Sequence, residues 1–453
     1  MSAARHGARI RAEAAGAIDA VVVAGRSLDQ ALAEAEERVS ADDRPLLRML
    51  CYGTLRHHFR LRWQLGQLLD RPLKGRDSVV ESLLAIGLFQ LTDTRVPDHA
   101  AVSMTVEAAR ILRLPKYAGL INAVLRNFGR RGIANREPDN DEARHDHPGW
   151  LLAALRADWP DDWADIVAAN NDRAPMWLRV NRKKASVDDY LGLLGVAHPD
   201  VGAGKLPGVA DAIRLDRPLP VEALPGFADG WVSVQDAAAQ LAAPWLLDGG
   251  DADGSYGVRV LDTCAAPGGK TGHLLECLGG GADVTAVESD RARAVRIGEN
   301  LARLGLEATV IVGDASKPGE WWDGRARDRV LVDAPCSASG VIRRHPDIKV
   351  LRRAGDVATL AVTQRAILEA LWPVLAPGGR LLYVTCSVLA AENEGVIGPF
   401  LAAHPDATER RVLHDYNIRA LMRERSTGYQ VLPGTADMDG FYYAALEKAA
   451  PDS

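Results

Sequence analysis

The sequence has no C-x-x-C pair, no apolar run long enough to span a bilayer, no G-x-G-x-x-G spacing and no overall excess of positive charge. Each absence removes a class of function. The five cysteines, at 51, 264, 277, 336 and 386, form an odd and scattered set. That argues against a structural zinc site or a disulfide framework and for reduced thiols of the kind kept in cytosol, so no metal is expected. The N-terminal stretch carries scattered Arg and Glu where a leader would have a continuous apolar core. Neither secretion nor membrane insertion is expected, and the location read from this is cytoplasmic. A formal net charge of −6 is the wrong sign for a protein that coats nucleic acid. Residues 1–145 nonetheless hold 22 Lys+Arg against 18 Asp+Glu, and the remainder 32 against 42. Any surface facing a polyanion must therefore be a local patch.

What is present is ordinary core material in quantity. With 453 residues, 47% hydrophobic and 25% charged, the chain is long enough for two or three domains. Residues 1–140 read as a compact helical bundle, with apolar positions at helical spacing over 31–39, 46–55, 61–69, 79–91 and 102–112. Breakers fall between the runs at Arg71-Pro72, Val96-Pro97-Asp98 and Leu114-Pro115. The polar stretch 135–148 is expected as a linker. Residues 150–247 read as a small α/β region, with a helix at 150–158, a strand at 176–181 and a helix at 187–194. The Gly- and Pro-rich stretch 201–227 shows no clear period. Across 248–450, strands are expected at 258–261, 283–287, 308–312, 329–332 and 380–384, with helices at 271–278 and 291–304 and a late strand at 440–446. Such alternation implies βαβ units and a mostly parallel, Rossmann-like sheet.

Open α/β sheets bind ligands beyond the carboxyl ends of their strands. After the first strand come Cys264, Ala265, Ala266, Pro267, Gly268, Gly269 and Lys270, small residues that let backbone approach a ligand ahead of a helix N-terminus. Glu288 closes the next strand, where a carboxylate can accept hydrogen bonds from both hydroxyls of a ribose. Asp314 and Asp333 stand at two further strand ends. A phosphate loop ending at Gly269-Lys270-Thr271 would need glycine at position 264, which is Cys264. A tight glycine turn built only for helix packing would leave the acidic strand ends unexplained.

Cys336 follows Asp333-Ala334-Pro335, and Cys386 follows the next strand in sequence. If those strands are neighbours, both thiols face one pocket, whereas Cys51 and Cys277 read as small buried apolar residues. A thiol suits one reaction at a pyrimidine: carbon 5 of cytosine is too weak a nucleophile to take a methyl group until a thiolate adds to carbon 6. Asp333 is placed to hydrogen-bond or protonate the ring edge, and the second thiol to assist release. Sequence order does not say which thiol attacks. Methylation of an exocyclic amine would need neither. Next to this loop Arg343, Arg344, Lys349, Arg352 and Arg353 surround Asp347 as the one acid, a run read as phosphate contact, with His345 a plain loop histidine.

The residues 264–270, Asp333-Ala334-Pro335-Cys336-Ser337, the run 343–349 and Thr385-Cys386-Ser387 resemble the Sun (Fmu, RsmB) group of RNA cytosine-5 methyltransferases. Tyr52-Gly53-Thr54-Leu55-Arg56, Arg95-Val96-Pro97-Asp98-His99-Ala100 and Asn122-Ala123-Val124-Leu125-Arg126-Asn127 resemble the NusB-like helical domain of its bacterial members. The resemblance implies Cys386 as nucleophile, Cys336 as the thiol that helps release product, and S-adenosylmethionine held by residues 264–270, Glu288, Asp314 and Asp333. It also implies 16S ribosomal RNA as substrate, met before assembly is complete, and no membrane partner; a monomer is expected. Glu288 departs from the group, where aspartate is common at that place. Two other readings stay open: methylation of transfer RNA by the same chemistry, and a catalytically inactive RNA-binding assembly factor.

Overall fold

A computed structural model describes residues 3–71, 73, 75–247, 257–278, 281–411 and 416–450. The chain divides into two compact units, Met1–Arg173 with Ile342–Ala354, and Ala174–Val341 with Gly355–Ser453. Among the described residues no helix is long and apolar enough to cross a membrane.

The first unit is helical, and the five expected helices are present as Leu28–Glu36, Arg44–Arg56, His58–Gly66, Ser78–Asp93 and Asp98–Ile111. Its most buried helix, Ser78–Asp93, is apolar nearly all round and sinks Val80, Leu83, Leu84, Ile86, Leu88 and Phe89 into the core. Two further helices, Ala3–Val22 and Ala118–Arg130, escape the periodicity reading. The first buries mostly alanines, Ala8, Ala14 and Ala15 among them, which carry little hydrophobic contrast but allow close helix packing. The helix start at Leu28 has a plain cause, since the Ser27 hydroxyl accepts the Gln30 N–H at 3.4 Å. Of the expected breakers, Pro72 lies outside the described residues.

Two expectations are corrected here. The stretch 135–148 is no loose linker: it holds the helix Asp141–His145, and the Asp146 carboxylate, buried, accepts from His57 Nδ1 at 3.0 Å and the Arg60 N–H at 2.8 Å. The run 343–353 is only in part an open surface: Ile342–Ala354 belongs by its contacts to the helical unit, and of its five cations Arg344, Arg352 and Arg353 are not buried. Arg343, Asp347 and Lys349 are buried, and Val350 joins the helical core. The Leu28 N–H donates to Asp347 Oδ2 at 3.0 Å, and Arg56 Nη2 donates to the Arg343 carbonyl at 2.7 Å. Lys349 Nζ donates to the Arg56 carbonyl at 2.7 Å and to Asn171 Oδ1 at 2.8 Å. Arg56 ends its helix, so the ammonium satisfies a carbonyl that has no partner within the helix.

The second unit contains two sheets. The small one orders β2-β3-β1-β4, all antiparallel, from β1 (Met176–Val180), β2 (Ala203–Leu206), β3 (Val209–Leu215) and β4 (Val232–Val234). β2 and β3 occupy the stretch where the sequence shows no period, and a register shift at Lys205/Leu206 breaks the alternation that would have revealed them. From β1, buried Arg179 reaches Glu276 at 2.7 Å and the Gly269 carbonyl at 2.7 Å. The small sheet thereby braces the helix Gly269–Cys277.

The large sheet comprises β5 (Arg259–Thr263), β6 (Asp283–Glu288), β7 (Thr309–Val312), β8 (Arg327–Asp333), β9 (Leu375–Thr385), β10 (Ala407–Glu409), β11 (Arg423–Glu424), β12 (Tyr429–Val431) and β13 (Phe441–Lys448). Its order is β11-β12-β13-β9-β8-β5-β6-β7, with β10 paired to β13. Strands β5 to β9 run parallel, and β13 closes on β9 antiparallel. The order turns at β5, which has β6 on one side and β8 on the other, and that is where such sheets open a ligand crevice. Residues 248–256, where the catalytic domain was expected to begin, lie outside the described residues.

Burial pushes the Lys349 ammonium down to about 7, with Asp146 opposing and Arg56 adding to the shift. A lysine whose pKa falls on folding costs stability in full below about 7, and the cost fades as pH rises toward the unfolded value near ~10.4. Between pH 7 and 9 the wild type should therefore gain stability relative to Lys349→Met by up to about 2 kcal/mol. Thermal or urea unfolding of the two proteins at both pH values measures this, and a difference independent of pH would refute it.

Candidate active site

The crevice is built from the strand ends. β5 runs into Cys264, whose backbone is left-handed (φ 56), and the loop turns through Gly268 (φ 92) into the helix Gly269–Cys277. The Gly268 conformation disfavours a side chain, and a Cβ there would stand 3.1 Å from Ile297 Cα on the neighbouring helix. Gly268 thus serves helix packing as well as the turn. The loop is held from several sides: the Ala265 N–H donates to the Val287 carbonyl at 3.1 Å, the Ala266 N–H to Glu288 Oε2 at 3.2 Å, and Asn300 Nδ2 to the Pro267 carbonyl at 2.7 Å. Glu288 is buried, and its Oε1 accepts the Asp290 N–H at 3.0 Å. Oε2 retains capacity for a further donor.

Lys270 reaches across from this loop to Asp333 at the end of β8, with Nζ to Oδ2 at 2.7 Å and the ammonium 5.4 Å from the centre of the Phe441 ring. Burial works to lower the Lys270 pKa, but the charge and hydrogen bond of Asp333 outweigh it and hold the ammonium above its ordinary value. Beneath them Asp262 is fully buried, and burial together with the nearby Asp333 charge lifts it to about 7 against the hydrogen bond from Thr271. The shift keeps a second full negative charge from competing with Asp333 for the lysine. Cys264 is pushed up to about 12, first by burial and then by Asp333 and Glu288, so it stays a thiol.

Because β8 pairs in parallel with β9, with Asp333 opposite Val384, the two chains leave the sheet side by side. The sulfurs of Cys336 and Cys386 lie 3.4 Å apart. They are not equivalent. Cys336 is 8% exposed, and its pKa is raised well above the ordinary value, first by the hydrogen bond with Cys386 and then by burial. Cys386 is half-buried, the more open of the pair. The other thiols stand elsewhere: Cys51 is sealed in the helical core, and Cys277 is half-buried at the far end of its helix.

The structure therefore brings residues 264–270, Glu288, Asp333, Cys336 and Cys386 to one crevice. Asp314 stands at its margin: the Gly313 N–H donates to the Glu288 carbonyl at 3.0 Å, while the Asp314 carboxylate takes the Ser316 N–H and hydroxyl at 2.9 and 2.7 Å. Behind the cysteines lies a set of buried polar side chains, of which sequence reasoning quoted Ser337 and Ser387 only as motif neighbours and missed Ser339, Gln364, Glu392 and Asn393. For the last two the signal in the letters was Glu392-Asn393-Glu394, three polar residues following the apolar stretch 388–391.

Comparison with known proteins agrees with the fold and gives the family. The family model described as 16S rRNA methyltransferase RsmB/F matches residues 253–447, the NusB family model matches 8–130, and the ferredoxin-like domain of RsmF/B-like methyltransferases matches 147–222. Ribosomal RNA small subunit methyltransferase B of Vibrio vulnificus (strain YJ016) is 48% identical over 444 residues, covering 97% of this chain and 100% of the relative. The protein of the same name from Klebsiella pneumoniae subsp. pneumoniae is 47% identical over 446 residues, covering 97% and 98%. Among solved structures, that of PH0851 superposes with a TM-score of 0.79 at 24% identity over 97% of this chain and 99% of its own. The methyltransferase homolog protein from Pyrococcus horikoshii gives 0.56 at 26% identity over 68% and 97%.

Gly268→Ala should lower stability by roughly 1–2 kcal/mol through the left-handed backbone alone, with the crowding against Ile297 added. Differential scanning calorimetry measures it, and an unchanged midpoint would show that the turn relaxes freely.

Proposed function

Because the chain belongs to the 16S rRNA methyltransferase RsmB/F family, we propose that it methylates carbon 5 of a cytosine in 16S ribosomal RNA through a covalent bond from Cys386. The observation that carries this reading is the pair of unequal thiols, 3.4 Å apart at the ends of adjacent parallel strands. Methylation of an exocyclic amine gives no role to either sulfur.

The crevice fits S-adenosylmethionine by its donor set. Three carboxylates, Glu288, Asp314 and Asp333, stand at the strand ends, and the cation nearest each, Arg293, Lys317 and Lys270, is already engaged with it, which suits a ligand bearing ribose hydroxyls better than one bearing phosphates. Glu288 would take the ribose hydroxyls, and residues 264–270 with Asp314 and Asp333 would enclose the remainder. When bound, S-adenosylmethionine supplies an electrophilic methyl group on a sulfonium. The protein's own residues do the rest. The Cys386 thiolate adds to carbon 6, forming the S–C6 bond and pushing the C5–C6 π electrons onto carbon 5. Asp333, held by Lys270, is the hydrogen-bond acceptor for the amino group at the ring edge and so orients the base. Carbon 5 takes the methyl group and loses its proton to a base, and the electrons of that C–H bond re-form the double bond as the S–C6 bond breaks. Cys336, buried and retaining its proton, donates to the departing Cys386 sulfur and so favours release. Such chemistry requires the cytosine unstacked, in single-stranded or flipped form, which agrees with RNA met before ribosome assembly is complete.

Of the wider organisation, residues 1–140 are assigned to RNA and protein binding, 150–247 to a linking and RNA-contact subdomain, and 248–450 to catalysis. Ribosomal RNA is handled in the cytoplasm, and that is where this reading sets the protein.

The test is transfer of labelled methyl to protein-free small-subunit ribosomal RNA and to transfer RNA. Label at carbon 5 of cytosine in the ribosomal RNA is expected, absent with Cys386→Ala, while S-adenosylmethionine still binds that variant by calorimetry. Cys336→Ala should instead accumulate a protein–RNA complex that survives a denaturing gel. Full activity of Cys386→Ala would remove the proposed nucleophile, and label confined to transfer RNA would replace the substrate.

A further inference from the structure

Glu392 closes the turn Ala390–Glu392 beyond the Cys386 loop, and its side chain is fully buried at 0% exposure. A carboxylate taken out of water is costly unless donors surround it. Here they come from both cysteine loops and from the helix Ala354–Leu371. Oε1 accepts the Ser337 N–H at 2.7 Å and Gln364 Nε2 at 3.3 Å, and Oε2 accepts the hydroxyls of Ser337 and Ser387, each at 2.6 Å. Ser337 is the residue after Cys336, and Ser387 the residue after Cys386. One carboxylate therefore ties the two sulfur-bearing loops together.

The two loops do not depend on it equally. Next door, Asn393 grips the Cys386 loop by itself, donating from Nδ2 to the Ser387 carbonyl at 3.1 Å and accepting the Thr385 hydroxyl at 2.6 Å. Both loops continue from strands paired on both sides, β8 and β9, so the difference lies within the loops. Ser337, in contrast, gives both its N–H and its hydroxyl to Glu392. The Cys336 loop is also held on either side, by Gln364 Nε2 to the Pro335 carbonyl at 2.8 Å and by the Gly340 N–H to the Cys386 carbonyl at 2.9 Å, but the residue directly after Cys336 is tied to Glu392 through both its backbone and its side chain.

We propose that Glu392 is a positioning residue which keeps Cys336 against Cys386, so that release of the methylated base, and not attack upon it, depends on Glu392. This rests on the roles assigned above to the two thiols. Glu392→Ala should bind RNA and form the covalent complex yet hold it, with turnover reduced by about tenfold or more, which corresponds to ~1.4 kcal/mol on the barrier for release. It should resemble Cys336→Ala and differ from Cys386→Ala. Glu392→Gln should restore turnover, because its amide oxygen can occupy the Oε1 place while its NH2 donates to two hydroxyls that rotate to accept. Glu392→Asp, a methylene shorter, should not.

The experiment uses the full chain, small-subunit ribosomal RNA and labelled S-adenosylmethionine, reading single-turnover label, steady-state rate and the gel-stable complex for each variant beside both cysteine variants. A folded Glu392→Ala that turns over normally, or that forms no complex, overturns the proposal. Should that variant fail to fold, Ser337→Ala, which removes one donor and leaves the backbone bond, takes its place, and wild-type release from it counts against the proposal. Absence of a complex in Cys336→Ala itself overturns the reading on which the proposal rests, and is thereby told apart from failure of Glu392 alone.

Discussion

The parallel register that sets Asp333 opposite Val384 decides most of what this molecule can do. A shift of two residues along the ladder would move one strand end by about 7 Å relative to the other, and the 3.4 Å meeting of Cys336 with Cys386 could not survive it. The register is in turn protected. β8 is flanked by β5 and β9, so any slip must break two ladders at once, and β9 is clamped on its far side by β13. Gly340 and Gly440 add a second lock, where the Gly440 N–H donates to the Gly340 carbonyl at 2.8 Å and the Gly340 N–H to the Cys386 carbonyl at 2.9 Å. Side chains would not fit that approach of two backbones.

Around this scaffold the charges are distributed by necessity more than by affinity. Two adjoining carboxylates, one buried and one open to the crevice, are managed in different ways. Asp262 has one recorded donor, Thr271, and its other oxygen has no hydrogen-bond partner among the described residues, so it rises to about 7. Asp333 has Lys270 and faces the crevice. The exposed face of the site thus carries the paired charge and the hidden face carries the near-neutral acid, which leaves a single carboxylate for chemistry at the pyrimidine edge. Helix dipoles and surface ion pairs contribute little by comparison, since the exposed pairs of the first unit are screened by water and salt.

Much of this was legible in the letters because strand ends announce themselves: a short apolar run stops, and chemistry-bearing residues follow. Residues 264–270, Glu288, Asp333 and both cysteines were found that way, as was the alternation of β5 to β9. What stayed hidden has physical reasons. Glu392 and Asn393 follow no strand directly, and their importance comes from partners about fifty residues away in sequence, at Ser337, and on another strand, at Gln430. β2 and β3 break their own alternation at a bulge. The basic run 343–353 misled in part because charge counts suggest a solvated or phosphate-facing surface, whereas Lys349 turns inward to satisfy a helix end and Arg343 is buried, its carbonyl accepting from the Arg56 guanidinium. A buried cation with a carbonyl partner cannot be told from a surface cation by composition.

That inward turn has a consequence for how the chain is made. Synthesis proceeds from the N-terminus, and domains tend to fold as they emerge. The helices up to Asn171 are complete long before Lys349 and Val350 leave the ribosome, so the carbonyl of Arg56, the amide oxygen of Asn171 and a place in the helical core must wait while β1 to β8 are still being produced. The first unit to begin is therefore finished only after β1 to β8 of the second have been made. Its maturation is coupled, in time, to the emergence of the very loop that carries Cys336, and a nascent chain interrupted before that point is left with an incomplete helical unit.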